Sequence, residues 1–382
     1  MPDHINAPGI YIHVPFCRRK CPYCDFYSVT DTELISEYLE ALREEIRLAP
    51  EIPGQYDTVY IGGGTPSLLS PGQIEILLES LFNRFDIAKN AEITLEVNPG
   101  SVSAEVLNQY RAAGINRLNA GVQSFNDRML KFLGRIHSSA QAVEVIRQAR
   151  AAGYDNLGLD LIYGLPGQTA DAWRQDLDAA LGFSLEHISC YLLTYAAGTP
   201  MADQLNQNRF QPLAEETCGE MFLLTHDLLC KQGYLHYEIS NFACSDNMKS
   251  RHNQKYWDNT PYIGLGPSAH SYFDHSRHWN VSSMQHYMES IRAGKLPIDG
   301  SETLTAEQEM IEAVFLGLRC ADGIDINSFE SRFGIDFHDK FHNVLTRQQE
   351  AGYVSLDGGR CKLTRQGLLY ADSIAQALVN MI

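Results

Sequence analysis

Short apolar runs alternate with amphipathic stretches of helical period through the first half of the chain. Six runs have the length and composition of buried strands, and they cover residues 11–14, 58–61, 93–97, 117–121, 157–162 and 187–193. The helical stretches cover residues 32–48, 71–85, 104–113, 140–152 and 170–181. Ser103 and Ser139 take N-cap positions in this prediction, and Gly114 and Gly153 follow helix ends. Strands that alternate with helices predict an α/β fold with a parallel sheet.

Polar or glycine-rich segments follow these strands. Cys17 comes after the first strand, residues 62–65 come after the second, and Glu96 ends the third. Gln123 follows the fourth strand, and Asp160 lies near the end of the fifth. Because the carboxyl ends of parallel strands meet at one edge, these residues are expected to lie close together. The pattern predicts a partial (βα)6 barrel of the TIM-like type with its site at that edge.

The second half of the chain has a different organisation. Helices are predicted at 215–231 and 284–293, around a polar and aromatic-rich stretch. From about residue 305, helices at 307–319, 327–333 and 337–351 precede two short strands around Gly358 and a helix from Arg365. Helices followed by such a hairpin predict a winged-helix-like α+β domain. We divide the chain into a core (1–235), a connecting segment (236–304) and a C-terminal domain (305–382).

Charge and cysteine usage exclude several classes of function. The formal net charge is −17, from 30 Lys and Arg against 47 Asp and Glu, which disfavours binding to a nucleic-acid backbone. The C-terminal domain has seven basic and eleven acidic residues, so a DNA-binding winged helix is not expected. The nine cysteines have no pairing rhythm, which is typical of a reducing, cytoplasmic compartment. Neither a targeting segment nor a run long enough for stable membrane insertion is expected.

Three cysteines stand close together after the first strand. Cys17, Cys21 and Cys24 have C-x3-C-x2-C spacing within eight residues, CRRKCPYC. Thiolates this close predict one shared metal centre. A 4Fe–4S cluster held by three local cysteines keeps one iron open for an exchangeable ligand. The alternatives are a zinc knuckle, whose cysteines usually occur as C-x2-C pairs, and a set of buried thiols without metal.

Two further segments have candidate binding residues at strand ends. Gly62, Gly63 and Gly64 lack side chains, so a ligand can lie against their backbone, although a tight turn would also require glycine. Glu96, in LEVNPG, is placed to accept hydrogen bonds from ribose hydroxyls. An exposed helix-capping acid is the alternative for Glu96.

The segment RHNQKYWDN joins a histidine to two aromatic residues. His252 can offer an axial imidazole to haem iron, and Tyr256 and Trp257 can offer flat apolar surface to a macrocycle. The alternative is a packed aromatic corner with a hydrogen-bonded histidine.

These motifs resemble those of a known family. The cysteine spacing is typical of radical S-adenosylmethionine (SAM) enzymes. YIHVPFCRRKCPYCDF, IGGGTPSLL, GVQSF, DLIYGLPGQT and the C-terminal domain are similar to the oxygen-independent coproporphyrinogen dehydrogenase-like (HemN-like) family over essentially the whole chain. Two features depart from the oxidase of this family. Phe26 stands where the oxidase has a further cysteine, and only sixteen residues precede Cys17, where the oxidase has a long N-terminal arm over its active site. Both departures, and the H-N-x-x-Y-W motif at His252, resemble the HemW branch of haem chaperones.

The resemblance implies a set of cofactors and contacts. It implies a 4Fe–4S cluster on the three cysteines, bound SAM, and haem at His252. The implied SAM contacts are Tyr11, Tyr23, Gly63, Gly64, Thr65, Glu96, Gln123, Arg135 and Asp160.

The resemblance also implies partners and an activity. We expect the chain to bind haem and transfer it to acceptor haemoproteins, with an electron donor such as flavodoxin or ferredoxin. The rival function is oxygen-independent coproporphyrinogen III oxidase, which decarboxylates its substrate in haem biosynthesis. Because the two departures remove features of the oxidase, we expect the chain to lack that activity.

Overall fold

The computed structural model describes residues 7–382. The expectation that the N-terminus has no targeting segment concerns residues 1–6 in large part, and those residues lie outside the described range. No helix within residues 7–382 is long and apolar enough to cross a membrane.

Six parallel strands form the centre of the molecule, as predicted. Their bounds are β1 Gly9–Val14, β2 Tyr56–Gly63, β3 Ile87–Val97, β4 Arg117–Gln123, β5 Leu157–Tyr163 and β6 His187–Leu192. Neighbouring strands pair in chain order from β1 to β6. In register, Ile12 lies opposite Ile61, and Leu159 lies opposite Ile188. All four side chains are fully buried, as expected for apolar side chains that pack between a parallel sheet and the helices that cover it.

Ten helices in residues 7–300 pack around these strands. Their bounds are α1 Ile35–Leu48, α2 Pro71–Arg84, α3 Ala104–Ala113, α4 Asp127–Phe132, α5 Ser139–Ala151, α6 Ala170–Leu181, α7 Pro200–Asn206, α8 Glu215–Lys231, α9 Arg251–Trp257 and α10 Met284–Arg292. Ser103 caps α3, as predicted, and Gly114 ends it with φ 115°. The N-cap prediction at Ser139 is wrong by one residue. Ser138 caps α5, because its hydroxyl accepts from the N–H of Gln141 and the Gln141 side chain bonds back in a capping box.

Six shorter strands extend the sheet at both edges. They are β7 Leu235–Glu238, β8 Asn241–Ala243, β9 Tyr262–Leu265, β10 His270–Phe273, β11 Ser276–Asn280 and β12 Ile298–Thr303. Strand β9 pairs with β1, and β8 pairs with β6, so β1 and β6 do not pair and the barrel stays open. These strands were not predicted, since they are short and lack a continuous apolar run. The boundaries drawn at 235 and 304 stay a prediction, and residues 236–304 supply most of this extension.

The C-terminal residues form a separate hydrophobic cluster. The elements are α11 Ala306–Arg319, α12 Ile326–Phe333, α13 Phe337–Glu350, α14 Ala371–Val379 and strands β13 Ile324–Asp325, β14 Val354–Asp357 and β15 Arg360–Leu363. Phe329, Phe337 and Phe341 are buried at the centre of the cluster. The predicted hairpin turns at Gly358 and Gly359, whose φ values of 58° and 73° are those of a two-residue hairpin turn. The structure therefore has the predicted α/β class, a partial barrel followed by a winged-helix-like α+β unit.

Candidate functional site

The three clustered cysteines lie on the loop that follows β1. The loop is closed at its base, because the N–H of Cys17 donates to the carbonyl of Val29 at 2.9 Å and the N–H of Val29 donates to Pro15 at 2.7 Å. Cys24 N–H donates to the Cys21 carbonyl at 3.2 Å, which folds the second half of the motif back on itself. The three thiols are unpaired and partly exposed. They are therefore accessible to a metal centre at the carboxyl edge of the sheet.

Polar side chains from two other loops reach these thiols. The Thr65 hydroxyl donates to Cys17 Sγ at 3.6 Å, and Arg135 Nη1 donates to Cys21 Sγ at 3.6 Å. Burial raises the pKa of Cys17 and raises the pKa of Cys24 to about 11. A metal must therefore replace the thiol protons when it binds.

The three thiols stay a sequence-based candidate for a cluster. No group of three or more His, Cys, Asp or Glu side chains in residues 7–382 is arranged to hold a metal ion. In a 4Fe–4S cubane each thiolate would bind a different iron.

A polar chain connects the cysteine loop to strands β3 and β4. Asn98, just after β3, donates from Nδ2 to Thr65 Oγ1 at 2.8 Å and accepts from Arg135 Nη2 at 2.5 Å. Arg135 also donates to the carbonyl of Gly121 at 2.7 Å. Arg135 is thus held against both the sheet edge and the thiol of Cys21. The position predicted for a SAM contact is structurally fixed by these bonds.

Two carboxyl groups lie inside the barrel below this chain. Glu96 accepts from the Tyr60 hydroxyl at 2.8 Å and from the Gly63 N–H at 3.2 Å, so Glu96 is not a helix cap. Asp160 accepts from the Asn119 amide at 2.7 Å. Burial raises the pKa of Glu96 to about 7, with Asp160 as a second cause, and burial raises the pKa of Asp160 to about 6. No lysine or arginine forms an ion pair with either carboxyl in the described part of the chain.

Several buried polar atoms at this edge have no hydrogen-bond partner. They are Gln123 Oε1, Arg135 Nε, Asp160 Oδ1, Asn119 Oδ1 and the Tyr195 hydroxyl. Gln123 also has a φ of 68°, an uncommon conformation for a residue with a side chain. Buried polar atoms are normally bonded, so these unpartnered donors and acceptors have capacity for a polar ligand such as SAM.

The glycine loop packs tightly against protein atoms. A Cβ placed on Gly63 would lie 2.7 Å from His13 Nδ1, and one on Gly64 would lie 2.7 Å from the carbonyl oxygen of Phe16. Gly63 also has a φ of 108°. The close approach of the cysteine loop and this backbone conformation therefore account for both glycines. Their predicted contact with SAM stays a prediction.

The two predicted tyrosines lie at different depths in the barrel. Tyr11, on β1, bonds His13 Nδ1 through its hydroxyl at 3.1 Å, and burial raises its pKa. Tyr23 lies between two of the cysteines. Burial raises the pKa of its hydroxyl, and the charge of nearby Arg135 opposes that rise. The structure brings Tyr23 to the cysteine edge, whereas Tyr11 lies deeper in the barrel beside Tyr60.

His252 is the predicted site residue that the structure places elsewhere. It lies on α9, where Nδ1 bonds Thr58 Oγ1 at 2.8 Å and Nε2 bonds the Tyr256 hydroxyl at 2.9 Å. A Cβ on Gly9 would lie 3.1 Å from His252 Nδ1, so His252 lies beside the start of β1, below the rings of Tyr60 and Tyr11, whose centroids are 5.3 Å and 6.3 Å from its own. The ring is fully buried, and burial lowers the pKa of His252 to about 3. Coordination of haem iron by His252 therefore requires one of the two hydrogen bonds to break.

The sequence analysis missed Tyr60 and Asn119 in the barrel interior. Asn98 and Tyr195 were expected at this edge, since they follow the third and sixth strands, but no role was assigned to them. A signal existed for Asn119, because polar or small residues alternate with apolar ones along β4, RLNAGVQ, and the inward side chains of a barrel strand recur with period two. Asn98 follows Glu96 at the same spacing.

The fold and this edge define a radical SAM protein. The Radical SAM superfamily model matches residues 11–180, and the HemN C-terminal domain model matches residues 304–370. Coproporphyrinogen III oxidase (HemN) from Escherichia coli superposes with a TM-score of 0.85 over 100% of this chain and 92% of that chain, at 23% identity, which shows the shared fold.

Similarity to curated proteins is higher and also spans the chain. The protein named heme chaperone HemW from Lactococcus lactis is 34% identical, covering 95% of each chain. The Bacillus subtilis protein of the same name is 34% identical, covering 97% of this chain and 98% of that one. The Mycobacterium tuberculosis protein is 35% identical, covering 97% and 95%. The chain belongs to the HemW family of radical SAM proteins.

Proposed function

We propose that this protein is a haem chaperone, which binds haem and passes it to acceptor haemoproteins. The observation that carries the proposal is similarity over nearly the full length to proteins named heme chaperone HemW, together with a cysteine edge that fits a cluster. We further propose a cytoplasmic location, since the nine described cysteines are all unpaired.

The cluster would be held by Cys17, Cys21 and Cys24. Three thiolates would leave one iron with an exchangeable position, which is the chemistry this group supplies. Thr65 and Arg135 would each donate a hydrogen bond to a cluster thiolate, in the contacts they already make with Cys17 and Cys21. Hydrogen bonds to the sulfurs tune a cluster's reduction potential.

SAM would occupy the polar space beside the cysteines. Asp160 Oδ1, Gln123 Oε1 and Arg135 Nε have no protein partner. Both Glu96 oxygens already accept one hydrogen bond, from Tyr60 and from Gly63, and each could accept a second from a ribose hydroxyl. Gly63, Gly64 and Thr65 would border the same ligand, with Tyr11 and Tyr23 on its flanks. The support for this assignment is that the polar atoms of Asp160, Gln123 and Arg135 are buried and unsatisfied.

The haem ligand is a separate question within the proposal. His252 is the sequence-based candidate, and the hydrogen bonds to Thr58 and Tyr256 oppose its use as a static ligand. Haem binding and the identity of the ligand are therefore tested separately below.

One anaerobic experiment tests the function. Protein reconstituted with iron and sulfide is titrated with haem, and the haem-loaded protein is mixed with an apo-haemoprotein. We expect about one haem per chain and its transfer to the acceptor. A parallel reaction with SAM, a reductant and coproporphyrinogen III should leave the porphyrinogen unchanged. Protoporphyrinogen formed over many turnovers would overturn the chaperone proposal and establish the oxidase.

A further inference from the structure

The loop that carries the cysteines also carries an unpaired group of cations. Arg18, Arg19 and Lys20 are consecutive and exposed. None of the three forms an ion pair in residues 7–382. One carboxylate, Asp25, lies in the same loop and is also exposed. The loop is therefore a positively charged surface at the cysteine site.

A second segment joins this surface. The glycine turn after α4 contacts the loop, since a Cβ on Gly134 would lie 2.6 Å from Pro22, and Arg135 reaches Cys21. Segments 17–26 and 127–136 together have six basic and two acidic side chains, in a chain whose net charge is −17. Such a local concentration of cations on an acidic protein attracts a negatively charged partner.

Apolar side chains lie within the same surface. Phe26 is 60% exposed and Ile136 is 57% exposed, more than any other large apolar side chain in the described residues. Phe26 lies two residues after Cys24, and Ile136 lines a cleft with Arg18, Arg19 and Cys21. Apolar groups within a charged rim are typical of a protein–protein interface.

We propose that segments 17–26 and 127–136 form the docking surface for an acidic one-electron carrier protein, of the flavodoxin type. This inference rests on the proposed function, because the carrier would reduce the cluster. The carrier would lose one electron and the cluster would gain it, and no atom would be transferred. Complementary charge steers such encounters, and redox complexes have small interfaces, which a patch of this size can supply.

The test measures binding of a purified acidic flavodoxin to the cluster-loaded protein by calorimetry. Arg18→Glu with Arg19→Glu should weaken binding about tenfold or more at low ionic strength, and added salt should reduce the difference. The matched control is Arg43→Glu with Lys89→Glu, which makes the same charge change at two other exposed positions. It should stay within about twofold of wild type.

The apolar part of the surface has its own variant and control. Phe26→Ser should weaken binding several-fold, whereas Phe82→Ser, on α2 and 45% exposed, should leave it unchanged. Equal weakening by both charge-reversed pairs, or no weakening by Arg18→Glu with Arg19→Glu, would overturn the proposal. So would a short single-stranded DNA that binds as tightly as flavodoxin and loses affinity in the same variants.

Two readouts separate this proposal from the proposed function. Dithionite, a small reductant, should reduce the cluster equally in wild type and in the Arg18 and Arg19 variant, while reduction by flavodoxin should be slower in the variant. Protein without a cluster should still bind flavodoxin, since the surface is made by side chains. Failure to assemble a cluster would therefore contradict the proposed function, and unchanged flavodoxin binding would contradict the docking surface.

Discussion

The predicted ligand residues at the two ends of the barrel differ in their hydrogen bonds. At the carboxyl edge, Asp160 Oδ1, Gln123 Oε1 and Arg135 Nε are buried without partners. Near the amino end, both ring nitrogens of His252 are bonded, to Thr58 and to Tyr256, although Arg117 Nε and His187 Nδ1, at the first residues of β4 and β6, have no partner.

Helix α9 is tied to the strands by further bonds. Glu92 accepts from the backbone N–H groups of Arg251 and His252, each at 3.2 Å. Asp57 forms ion pairs with Arg251 at 2.7 Å and Lys255 at 2.6 Å. A buried polar group that is fully bonded stabilises one conformation, whereas an unpartnered one has capacity for a ligand. The comparison indicates a structural role for the histidine of α9, and it leaves Asp160, Gln123 and Arg135 with capacity for a ligand.

Loss of a cysteine should have the largest effect. Cys17→Ser, Cys21→Ser or Cys24→Ser should each remove nearly all the iron and sulfide that reconstituted protein retains, because two thiolates would remain for the cubane. Cys244→Ser, at an exposed position outside this edge, is the control and should keep its cluster. A full cluster in any of the three variants would mean that the ligand site lies elsewhere.

The next effect tests the opposite end of the barrel. His252→Ala should lower the free energy of unfolding by about 2–4 kcal/mol, since it removes a buried ring and leaves Thr58 without its partner. Tyr256→Phe deletes only one of the two hydrogen bonds and should cost about 1–2 kcal/mol. Denaturant titration measures both.

The haem spectrum decides which role His252 has. If the role is structural, the Soret band of folded His252→Ala protein should match that of wild type. A changed band in His252→Ala, with an unchanged band in Tyr256→Phe, would identify His252 as an iron ligand. The structural role inferred for His252 would then be wrong.

SAM affinity should respond only to the carboxyl edge. Glu96→Gln and Asp160→Asn should each weaken SAM binding to cluster-loaded protein by about 1–3 kcal/mol in calorimetry, because each would lose a charged hydrogen-bond acceptor. Glu45 is a matched control, with a pKa that burial also raises to about 7. Its oxygens accept from Tyr287 at 2.6 Å and Asn280 at 2.6 Å, so Glu45→Gln should leave SAM affinity unchanged. Equal losses in all three variants would show a general effect on folding.

The last prediction is a pH dependence of stability. The pKa of Glu96 rises from 4.5 to about 7 on folding, so the native state keeps a proton that the unfolded chain has lost. Stability should therefore fall as pH increases from about 4.5 to about 7, by at most about 3 kcal/mol for this group. Glu96→Gln should flatten that part of the profile, measured by denaturant unfolding without SAM. A profile identical to wild type would contradict the burial of this carboxyl.

Local features of the chain predicted much of the framework. The apolar runs of β1 to β6 were visible because both faces of a covered parallel strand are buried. The Gly358-Gly359 turn was visible because a two-residue hairpin needs positive φ at both positions. The N-cap at Ser138 was missed by one residue, because adjacent serines both have the required side chain and only the capping box with Gln141 distinguishes them.

Long-range pairing could not be predicted from the same patterns. Strand β9 joins the sheet beside β1, more than two hundred residues away in the chain. Its position is explained by the edge of β1 that β2 leaves unpaired, which appears only in the folded sheet. Asn98, Thr65 and Arg135 lie in three separate loops, and Asn98 bonds the other two. No spacing in the sequence indicates these bonds.

The sequence alone determined the strand–helix order, the cysteine spacing and the chemistry that three nearby thiols can support, because these depend on residue type and local periodicity. The tertiary structure decided which polar groups have partners. Glu96 and Asp160 face an interior with unsatisfied atoms, and His252, equally conspicuous in the sequence, is enclosed by Thr58 and Tyr256. Hydrogen-bond satisfaction depends on side chains brought together across the whole chain, so it separates a ligand site from a structural histidine only after the chain has folded.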